Sequence, residues 1–345
     1  MVSNSVENYS SDTLETVSEP SPPVPLSVII PVKNEEASIE RLLYSLLEQT
    51  LTPAEIVITD GGSQDRTREI IRRFQTISSV PIVLIETDQA FPGRGRNLAI
   101  ARATNEWVAC IDGGVVPRQD WLQELVKTAR REPDAKIVYG KYEPLTNSYF
   151  TECAAITYLP ASDAKTRFIA SSLLQRSAWK TAGGFPEDLR SAEDLLFFRR
   201  LDNAGVQAAY SDEAVVTWEL QPSARSTFRR FAIYSRSNLK AGLAGEWQFN
   251  VMRFYAILLG LFVIGLRWYW PVLLLPPVLI LLRAERRIWN WFRVKARGRL
   301  WRELLSPRRV LLVAGINLLI DLAMFYGTLK WLLYDRSKSD SANSV

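Results

Sequence analysis

The apolar run Leu26-Ser-Val-Ile-Ile-Pro31 is followed, between Ser38 and Leu47, by apolar residues at helical spacing. A short β-branched run is typical of a buried parallel strand, and the periodicity after it indicates a helix packed on the sheet. Strands that alternate with helices predict an α/β fold with a doubly wound, mostly parallel sheet. Further strand-like runs follow at Glu55–Asp60, Ile82–Glu86 and Trp107–Ile111.

Acidic residues stand where three of these strands end. Glu35 follows the first strand, Asp60 ends the second, and Asp112 follows the fourth in the run Ile111-Asp112-Gly113-Gly114. In sheets of this type, ligands bind beyond the carboxyl ends of the strands. Asp and Gly are also common after strands for turn reasons alone. Several acids on one rim are harder to explain by turns, so the pattern favours a functional site.

Two cations accompany these acids in Gly93-Arg94-Gly95-Arg96-Asn97, just before a helix predicted from Leu98 to Ala103. Arginines at the start of a helix suit a diphosphate, because guanidinium bonds phosphate oxygens bidentately and the helix dipole adds positive potential. The alternative is that the segment Gly93–Asn97 is a solvated loop that binds no diphosphate. Acids together with this basic segment, and a metal ion if one is present, would bind a nucleotide diphosphate.

A second acidic pair, Glu193-Asp194, precedes a helix predicted through Leu196 and Leu201. Ser191 and Asp194 have the spacing of a capping box, which would give Asp194 a structural role. An Asp at a helix N-terminus also stays ionised, which is the state that a general base requires. The two roles are compatible, and the spacing does not separate them.

The composition excludes several classes of catalyst. The chain has 345 residues, a net charge of +5 and no histidine. Ser-His-Asp triads, His-Cys pairs and imidazole metal sites are therefore excluded, and a catalytic base must be a carboxylate, Lys, Tyr or thiolate. Cys110 and Cys153 form neither a disulfide framework nor a zinc site, which suits a reducing compartment. Cys110 lies in an apolar run and is predicted to be a core residue.

The C-terminal region, residues 251–334, contains long apolar stretches around a basic block. A helix that crosses a bilayer needs about 20 apolar residues, so 254–282 forms either one kinked helix or a hairpin of two short helices near Arg267. Residues 310–334 are a clearer single span, in which Asp321 would pair with another helix, face a polar cavity or have no role. The block 283–309 is rich in Arg and Lys, and basic short loops stay cytoplasmic, which favours the hairpin.

The remaining segments complete the predicted organisation. Residues 1–25 have the composition of a disordered tail, with neither the basic nor the apolar region of a signal peptide. Residues 26–245 form the soluble domain, and 335–345 a second tail. The block 283–309 mixes tryptophans with cations, as an amphipathic segment on an anionic leaflet or a solvated loop does. We expect a multi-pass plasma-membrane protein with a cytoplasmic catalytic domain and no nucleic-acid partner.

Six motifs occur in order along the chain. They are Ser27-Val-Ile-Ile-Pro-Val-Lys-Asn-Glu35, Val57-Ile-Thr-Asp60-Gly-Gly-Ser-Gln-Asp65, Gly95-Arg-Asn97, Ile111-Asp112-Gly-Gly, Gly183-Gly-Phe-Pro-Glu187 and Glu193-Asp194. This series resembles the family 2 inverting glycosyltransferases of the GT-A fold, over about residues 26–240. The resemblance implies a UDP- or GDP-sugar donor and a Mg or Mn ion. The acids and arginines at one edge of the sheet, joined to a membrane region, predict a lipid, lipid-linked or glycan acceptor.

The resemblance also implies a role for each matching residue. Asp112 would hold the metal or the ribose, and Asp194, beside Glu193, would deprotonate the acceptor hydroxyl. The donor would be bound as follows: Pro31, Val32 and Asn34 line the nucleotide pocket, Glu35 lies near the ribose, Asp60 accepts from the base, and Arg94 and Arg96 lie near the diphosphate.

The chain departs from the family pattern at three places. Gly114 replaces the second carboxylate of Asp-x-Asp, which implies weaker or more water-mediated metal coordination. No histidine follows the Glu-Asp helix, where Glu219 is a possible substitute. The Gln-x-x-Arg-Trp of processive synthases is absent, and the basic amphipathic segment Phe228–Arg236 occupies that region. These features favour transfer of a single sugar by a membrane-anchored enzyme. The alternatives are a non-catalytic nucleotide-binding partner in a glycan-assembly complex and a nucleotidyltransferase.

Overall fold

The computed structural model describes residues 25–159, 165–245, 247–295, 302 and 304–335. Residues 1–24 of the predicted N-terminal tail and 336–345 of the C-terminal tail lie outside the described residues. Part of the predicted basic loop, 296–301 and 303, lies outside them as well.

One mixed sheet of eight strands organises the soluble domain, and the predicted α/β class is confirmed. The strands are β1 Leu26–Val32, β2 Glu55–Asp60, β3 Ile82–Glu86, β4 Trp107–Ile111, β5 Val115–Pro117, β6 Ile137–Leu145, β7 Ser171–Gln175 and β8 Ala208–Glu219. Their order in the sheet is β3-β2-β1-β4-β7-β6-β8-β5. The pairs of β1 with β2, β1 with β4, β2 with β3 and β6 with β8 are parallel, and the other three are antiparallel.

Helices cover both faces of this sheet and continue into the C-terminal region. A short 3-10 helix, Trp270–Leu274, separates the ninth helix from the tenth. The helices are α1 Ile39–Leu47, α2 Thr67–Ile77, α3 Pro92–Arg102, α4 Trp121–Arg131, α5 Tyr149–Tyr158, α6 Arg176–Thr181, α7 Glu193–Asn203, α8 Ala224–Lys240, α9 Gln248–Arg267, α10 Leu275–Lys295 and α11 Pro307–Tyr334.

Strand β1 shows why an uninterrupted apolar run is required at the centre of the sheet. Val28 and Ile30 pack with α1, α2 and α4 on one face, whereas Ile29 packs with α3 and α7 on the other. All three side chains are fully buried. Burial of each contributes roughly 1.5–3 kcal/mol, so both helical layers depend on this strand.

The strand order also fixes where a ligand binds. Strand β1 lies between β2 and β4. The chain passes from β1 to β2 and β3 on one side, and then crosses to β4 on the other side of β1. This reversal opens a crevice at the carboxyl ends of β1 and β4. The segments after these strands contain Glu35 and Asp112, respectively.

The C-terminal helices pack on one another and on the soluble domain. Helix α8 contacts α11, and a cluster that includes Cys153, Ile288 and Ile316 joins α5, α10 and α11. Asp321 of α11 is buried, and it accepts hydrogen bonds from Arg283 of α10 and Tyr255 of α9. The expected pairing of Asp321 with another helix is thus observed, and it links three helices.

Two of the described helices, α9 and α11, are long and apolar enough to cross a membrane, judged by length and composition alone. The apolar stretch around Arg267 is divided, because α9 ends at that residue and α10 begins at Leu275. Helix α10 continues to Lys295, so the predicted boundary between residues 282 and 283 falls inside a continuous helix.

Candidate active site

A cavity of about 1130 Å³ opens at the carboxyl ends of β1 and β4. Ligand pockets for small molecules and cofactors usually measure roughly 300–1,000 Å³, so this cavity has room for a nucleotide sugar and part of an acceptor. Its far wall is the helix α8. Among the residues predicted from sequence, those that line it are Pro31, Val32, Asn34, Glu35, Arg96, Asp112, Glu193 and Asp194.

Arg96 joins two of the predicted acids beneath this cavity. Its Nη2 donates to Asp112 Oδ1 at 2.6 Å, and its Nη1 donates to Glu193 Oε1 at 2.6 Å. The Arg96 side chain is only 3% exposed, and a buried cation is tolerated when carboxylates pair with it. Burial acts to lower the pKa of Arg96, but the two carboxylates outweigh it and the pKa is raised. The arrangement fixes Asp112 and Glu193 relative to each other.

The predicted start of the helix at Leu98 is wrong, because α3 begins at Pro92, with proline at the first helical position. A proline is favoured there because its missing N–H has no intrahelical partner in any case. Arg96 is therefore a buried residue within the helix, rather than a residue of a loop at the rim. Arg94 is exposed, does not line the cavity, and donates to Gln89 O at 3.4 Å. The roles of Arg94 and Arg96 at a diphosphate stay predictions.

Contacts between α3 and the loop that leads to α7 hold the acidic pair in place. The Asn97 side chain donates to Phe185 O and accepts from Phe185 N, both at 2.9 Å. A Cβ added at Gly93 would lie 1.9 Å from Pro186 O, so only glycine allows this approach. The motifs Gly93–Asn97 and Gly183–Glu187 are therefore two sides of one contact.

The capping box expected from Ser191 and Asp194 is absent. Helix α7 begins at Glu193, and the residue before it, Ala192, has a left-handed φ of 70° and makes no side-chain cap. Ser191 Oγ is buried without a hydrogen-bond partner among the described residues. Asp194 Oδ1 accepts only from the adjacent Leu195 N, at 2.8 Å, within the part of the chain that is described. The Asp194 carboxylate is therefore available to a ligand in the cavity.

The surroundings of Asp194 suit a general base. Burial and the neighbouring Glu193 carboxylate raise the pKa of Asp194 to about 6, although Arg96 acts to lower it. A base is most effective when its pKa lies near the working pH, because it is then ionised and still binds a proton well. At neutral pH, Asp194 is ionised and can accept a proton.

Glu35 lies beside the glycines that follow Asp112. A Cβ added at Gly113 would be 3.0 Å from Glu35 Cγ, and one added at Gly114 would be 4.0 Å from Glu35 Oε2. The carboxylate accepts a hydrogen bond from Ser38 Oγ. Burial, with the nearby Asp112 charge, raises the pKa of Glu35 although the Ser38 bond lowers it. Glu35 thus supplies a carboxylate next to the position where Gly114 lacks one.

The turn after β2 is built around Asp60, which is fully buried and does not line the cavity. Its Oδ1 accepts from Ser63 N at 3.0 Å and from Arg68 Nε at 2.6 Å. Burial alone would raise the pKa of Asp60, but these hydrogen bonds outweigh it and lower the pKa. Asp60 Oδ2 has no partner among the described residues, so this carboxylate oxygen can still accept a hydrogen bond. Its role toward a base stays a prediction.

The segment after β1, which was predicted to line a nucleotide pocket, is cross-linked to the turn after β2. Asn34 has a left-handed φ of 55°, its N–H donates to Ser63 Oγ at 2.8 Å, and its Oδ1 accepts from Gln64 N at 2.8 Å. Lys33 Nζ donates to Gly61 O at 2.9 Å. These bonds rigidify the wall formed by Pro31, Val32 and Glu35.

Several cavity residues were not predicted from the sequence, among them Tyr142 on β6, and Arg230 and Tyr234 on α8. Burial raises the pKa of both tyrosines, so their phenols stay protonated and can donate hydrogen bonds. The basic segment Phe228–Arg236 was a signal for the two α8 residues, whereas no sequence pattern marks Tyr142. Glu219, suggested as a substitute metal ligand, instead pairs with Arg41 at 2.9 Å and does not line the cavity.

Part of the chain is similar to known glycosyltransferases. Residues 27–165 match the profile described as glycosyl transferase family 2. The chain is 26% identical to the glycosyltransferase AglE of Haloferax volcanii, over 60% of this chain and 71% of that protein. It is 28% identical to a pre-mycofactocin glycosyltransferase of Mycobacterium tuberculosis, over 64% of this chain and 49% of that one. The chain therefore spans about half the length of the latter relative.

A solved structure with the same fold is the mannosyltransferase PcManGT from Pyrobaculum calidifontis, in complex with GDP-Man and Mn²⁺. The TM-score is 0.56 at 21% identity, and the alignment covers 90% of this chain and 87% of that one. The likeness establishes the fold of the sheet and its helices.

Proposed function

We propose that the chain, of which residues 27–165 match the profile described as glycosyl transferase family 2, is a glycosyltransferase that transfers one sugar, with inversion, from a nucleotide-sugar donor to an acceptor. We propose as acceptor a lipid, a lipid-linked glycan or a surface glycan at the cytoplasmic face of the plasma membrane. The observation that carries the proposal is the Asp112–Arg96–Glu193 ion-pair network with Asp194 beside it. One buried guanidinium connects Asp112, after β4, to Glu193, the residue before the candidate base.

The reaction that this geometry supports is a single displacement. Asp194 takes the proton of the acceptor hydroxyl while the hydroxyl oxygen attacks the anomeric carbon of the sugar. The bond between that carbon and the diphosphate oxygen breaks, and the diphosphate leaves with the electron pair. Because the acceptor enters from the face opposite the leaving group, the anomeric configuration is inverted. Glu193 is engaged by Arg96, whereas the Asp194 carboxylate is open to the cavity, so the proton goes to Asp194.

A divalent cation fits the oxygen ligands at the end of β4. Asp112 lines the cavity with 40% of its side chain exposed, and Glu35 lies beside Gly114. Mg²⁺ commonly uses one or two carboxylates and keeps several waters, so two acids are sufficient. No group of three or more acids or cysteines arranged for a metal occurs among the residues that the structure describes. Asp112, with Glu35 nearby, would therefore hold Mg or Mn, and the ion would offset negative charge on the diphosphate.

Membrane attachment is proposed from the C-terminal helices. Helices α9 and α11 have the required length and apolar composition, and large side chains of α9 such as Leu259, Phe262 and Leu266 are exposed. The buried Arg283–Asp321 pair is an arrangement that charged groups adopt inside a bilayer. We propose that α9 and α10 form the hairpin and that the basic segment after it stays cytoplasmic, beside the catalytic domain.

The proposal is tested with the full chain in lipid nanodiscs and a panel of UDP- and GDP-sugars. We expect one donor to be consumed, with a product of inverted anomeric configuration by NMR. Asp194→Asn should abolish transfer while nucleotide binding persists in calorimetry. Nucleotide binding without turnover of any donor would favour the non-catalytic alternative, and turnover retained in Asp194→Asn would exclude Asp194 as the base.

A further inference from the structure

Helix α8 forms the wall of the cavity that faces the acidic rim. It is fixed at its start by Ser223, which exchanges hydrogen bonds with Ser226 in a capping box. It is fixed along its length by α11, because Ser235 Oγ donates to Met324 O at 2.8 Å and Gly327 approaches Ala232 closely. Side chains on the cavity face of α8 are therefore held in defined positions.

Three of the six cations that line the cavity bond other groups of the protein. Arg96 bonds Asp112 and Glu193, and Lys33 bonds the Gly61 carbonyl. Arg236 forms two bonds with Asp335, at 2.5 and 2.8 Å. Each of these side chains therefore forms hydrogen bonds within the protein.

Arg230 differs from these cations. Its guanidinium carbon lies 5.2 Å from the centroid of the Trp218 ring, which holds the side chain against the cavity wall. Its Nη1 is buried, and within the described ranges it has no hydrogen-bond partner. A desolvated guanidinium nitrogen without an acceptor is unfavourable, and an anion that reached the group would remove this cost.

The neighbours of Arg230 define what kind of anion fits. Tyr234 is four residues later on the same helix and lines the same cavity, so its phenol is a hydroxyl donor beside the guanidinium. Across the cavity, the Arg230 charge acts on Glu35, which adjoins Asp112 and Gly114. A guanidinium fork with a nearby hydroxyl suits the tetrahedral oxygens of a phosphate.

We propose that Arg230 binds a phosphate group in this cavity, with Tyr234 as a second donor. The proposal rests on the proposed function, which brings two sources of phosphate to the cavity. One is the diphosphate of the nucleotide-sugar donor, and the other is a phosphate on a lipid acceptor. In the first case, Arg230 adds positive charge at the leaving group, where Gly114 leaves the metal with few carboxylates. In the second, it orients the acceptor toward Asp194.

Binding measurements separate the two sources without depending on turnover. The full chain in nanodiscs is titrated with UDP and with GDP by calorimetry. It is then tested against vesicles that contain either a polyprenyl monophosphate or the matching polyprenyl alcohol. The variants are Arg230→Gln, Arg230→Lys, and Arg229→Gln as a matched control. Arg229 is the exposed neighbour on the same helix and does not line the cavity.

Loss of a charge-assisted phosphate contact is expected to weaken binding about tenfold to a hundredfold in Arg230→Gln. A loss confined to UDP or GDP assigns the donor diphosphate. A loss confined to the polyprenyl phosphate, with the alcohol unaffected, assigns the acceptor. Arg229→Gln should bind as the unaltered chain does, and Arg230→Lys, which keeps the charge, should recover part of the affinity.

Unchanged affinity of Arg230→Gln for every phosphate probe would overturn the proposal. If Arg230→Gln does not fold, Arg230→Lys carries the test, because loss of the fork should still weaken phosphate binding measurably. Absence of sugar transfer with phosphate binding intact would count against the proposed function only.

Discussion

The buried guanidinium of Arg96 donates to Glu193 at 2.6 Å across 97 positions of sequence. Arg96 lies on α3, between β3 and β4, and Glu193 begins α7, between β7 and β8. Because Arg96 also bonds Asp112, the segment after β4 and the start of α7 are positioned by the same cation. The position of Asp112 relative to Glu193 therefore depends on one side chain.

Replacement of Arg96 should destabilise the soluble domain. Arg96→Met leaves Glu193 buried and Asp112 half-buried without their cation, and breaking a buried ion pair from one side costs about 3–5 kcal/mol. We expect a loss of that order in the free energy of unfolding, measured by denaturant titration. Arg94→Met is the matched control, since Arg94 is exposed two residues away, and it should change stability by no more than about 0.5 kcal/mol. Equal stability of the two variants would show that the network is not structural.

The rate of sugar transfer should depend on pH through Asp194. Its pKa is raised to about 6, so the base is protonated and inactive below that pH and ionised above it. We expect kcat/KM to rise with pH and to level off above about 7, in a buffer series at constant ionic strength. Asp194→Asn should lower kcat by roughly 10²–10⁴-fold, the usual contribution of general base catalysis. Asp212→Asn, at an exposed position on β8, is the control for removal of an acid.

The raised pKa of Asp194 suits catalysis, but it lowers the stability of the folded chain at neutral pH. A carboxyl group whose pKa is higher in the folded state than in the unfolded state stabilises the fold at pH values below its unfolded pKa, near 3.8. This contribution is lost as pH rises through about 6. Ionised Asp194 thus costs stability at neutral pH, and Asp194→Asn should melt at a higher temperature than the unaltered chain at pH 7.5. The gain should shrink toward pH 5 in differential scanning calorimetry. A gain that does not vary with pH would point to packing rather than ionisation.

The parts that sequence predicted best are those decided by local pattern. Strands β1 to β4 contain short, mostly apolar and β-branched runs, which are typical of buried parallel strands. The predicted family and enzyme class agree with the match of residues 27–165 to the profile described as glycosyl transferase family 2 and with the similarity to proteins named as glycosyltransferases. The burial of Arg96 could not be predicted, because its two carboxylates come from distant segments. The capping spacing at Ser191 misled because Ala192 adopts a left-handed conformation instead. Arg230 and Tyr234 reach the cavity only through the docking of α8 on α11, which no local pattern encodes.

Restoring a carboxylate at Gly114 should strengthen metal binding. The backbone there is not left-handed, and a Cβ would meet only Glu35 Oε2, at 4.0 Å, so an aspartate is accommodated. Gly114→Asp would add a third carboxylate to Asp112 and Glu35. Three carboxylates attract a divalent ion more strongly than two.

We expect tighter Mn²⁺ binding in Gly114→Asp, measured as loss of the free-ion signal in electron paramagnetic resonance titrations without donor. Gly114→Asn is the control, because it has nearly the same shape without the charge and should bind Mn²⁺ less tightly than the aspartate variant. Glu35→Gln should weaken binding in the unaltered background and partly cancel the gain in Gly114→Asp. Mn²⁺ affinity that is the same in all five proteins, the double variant included, would place the ion, if one binds, away from Glu35 and residue 114.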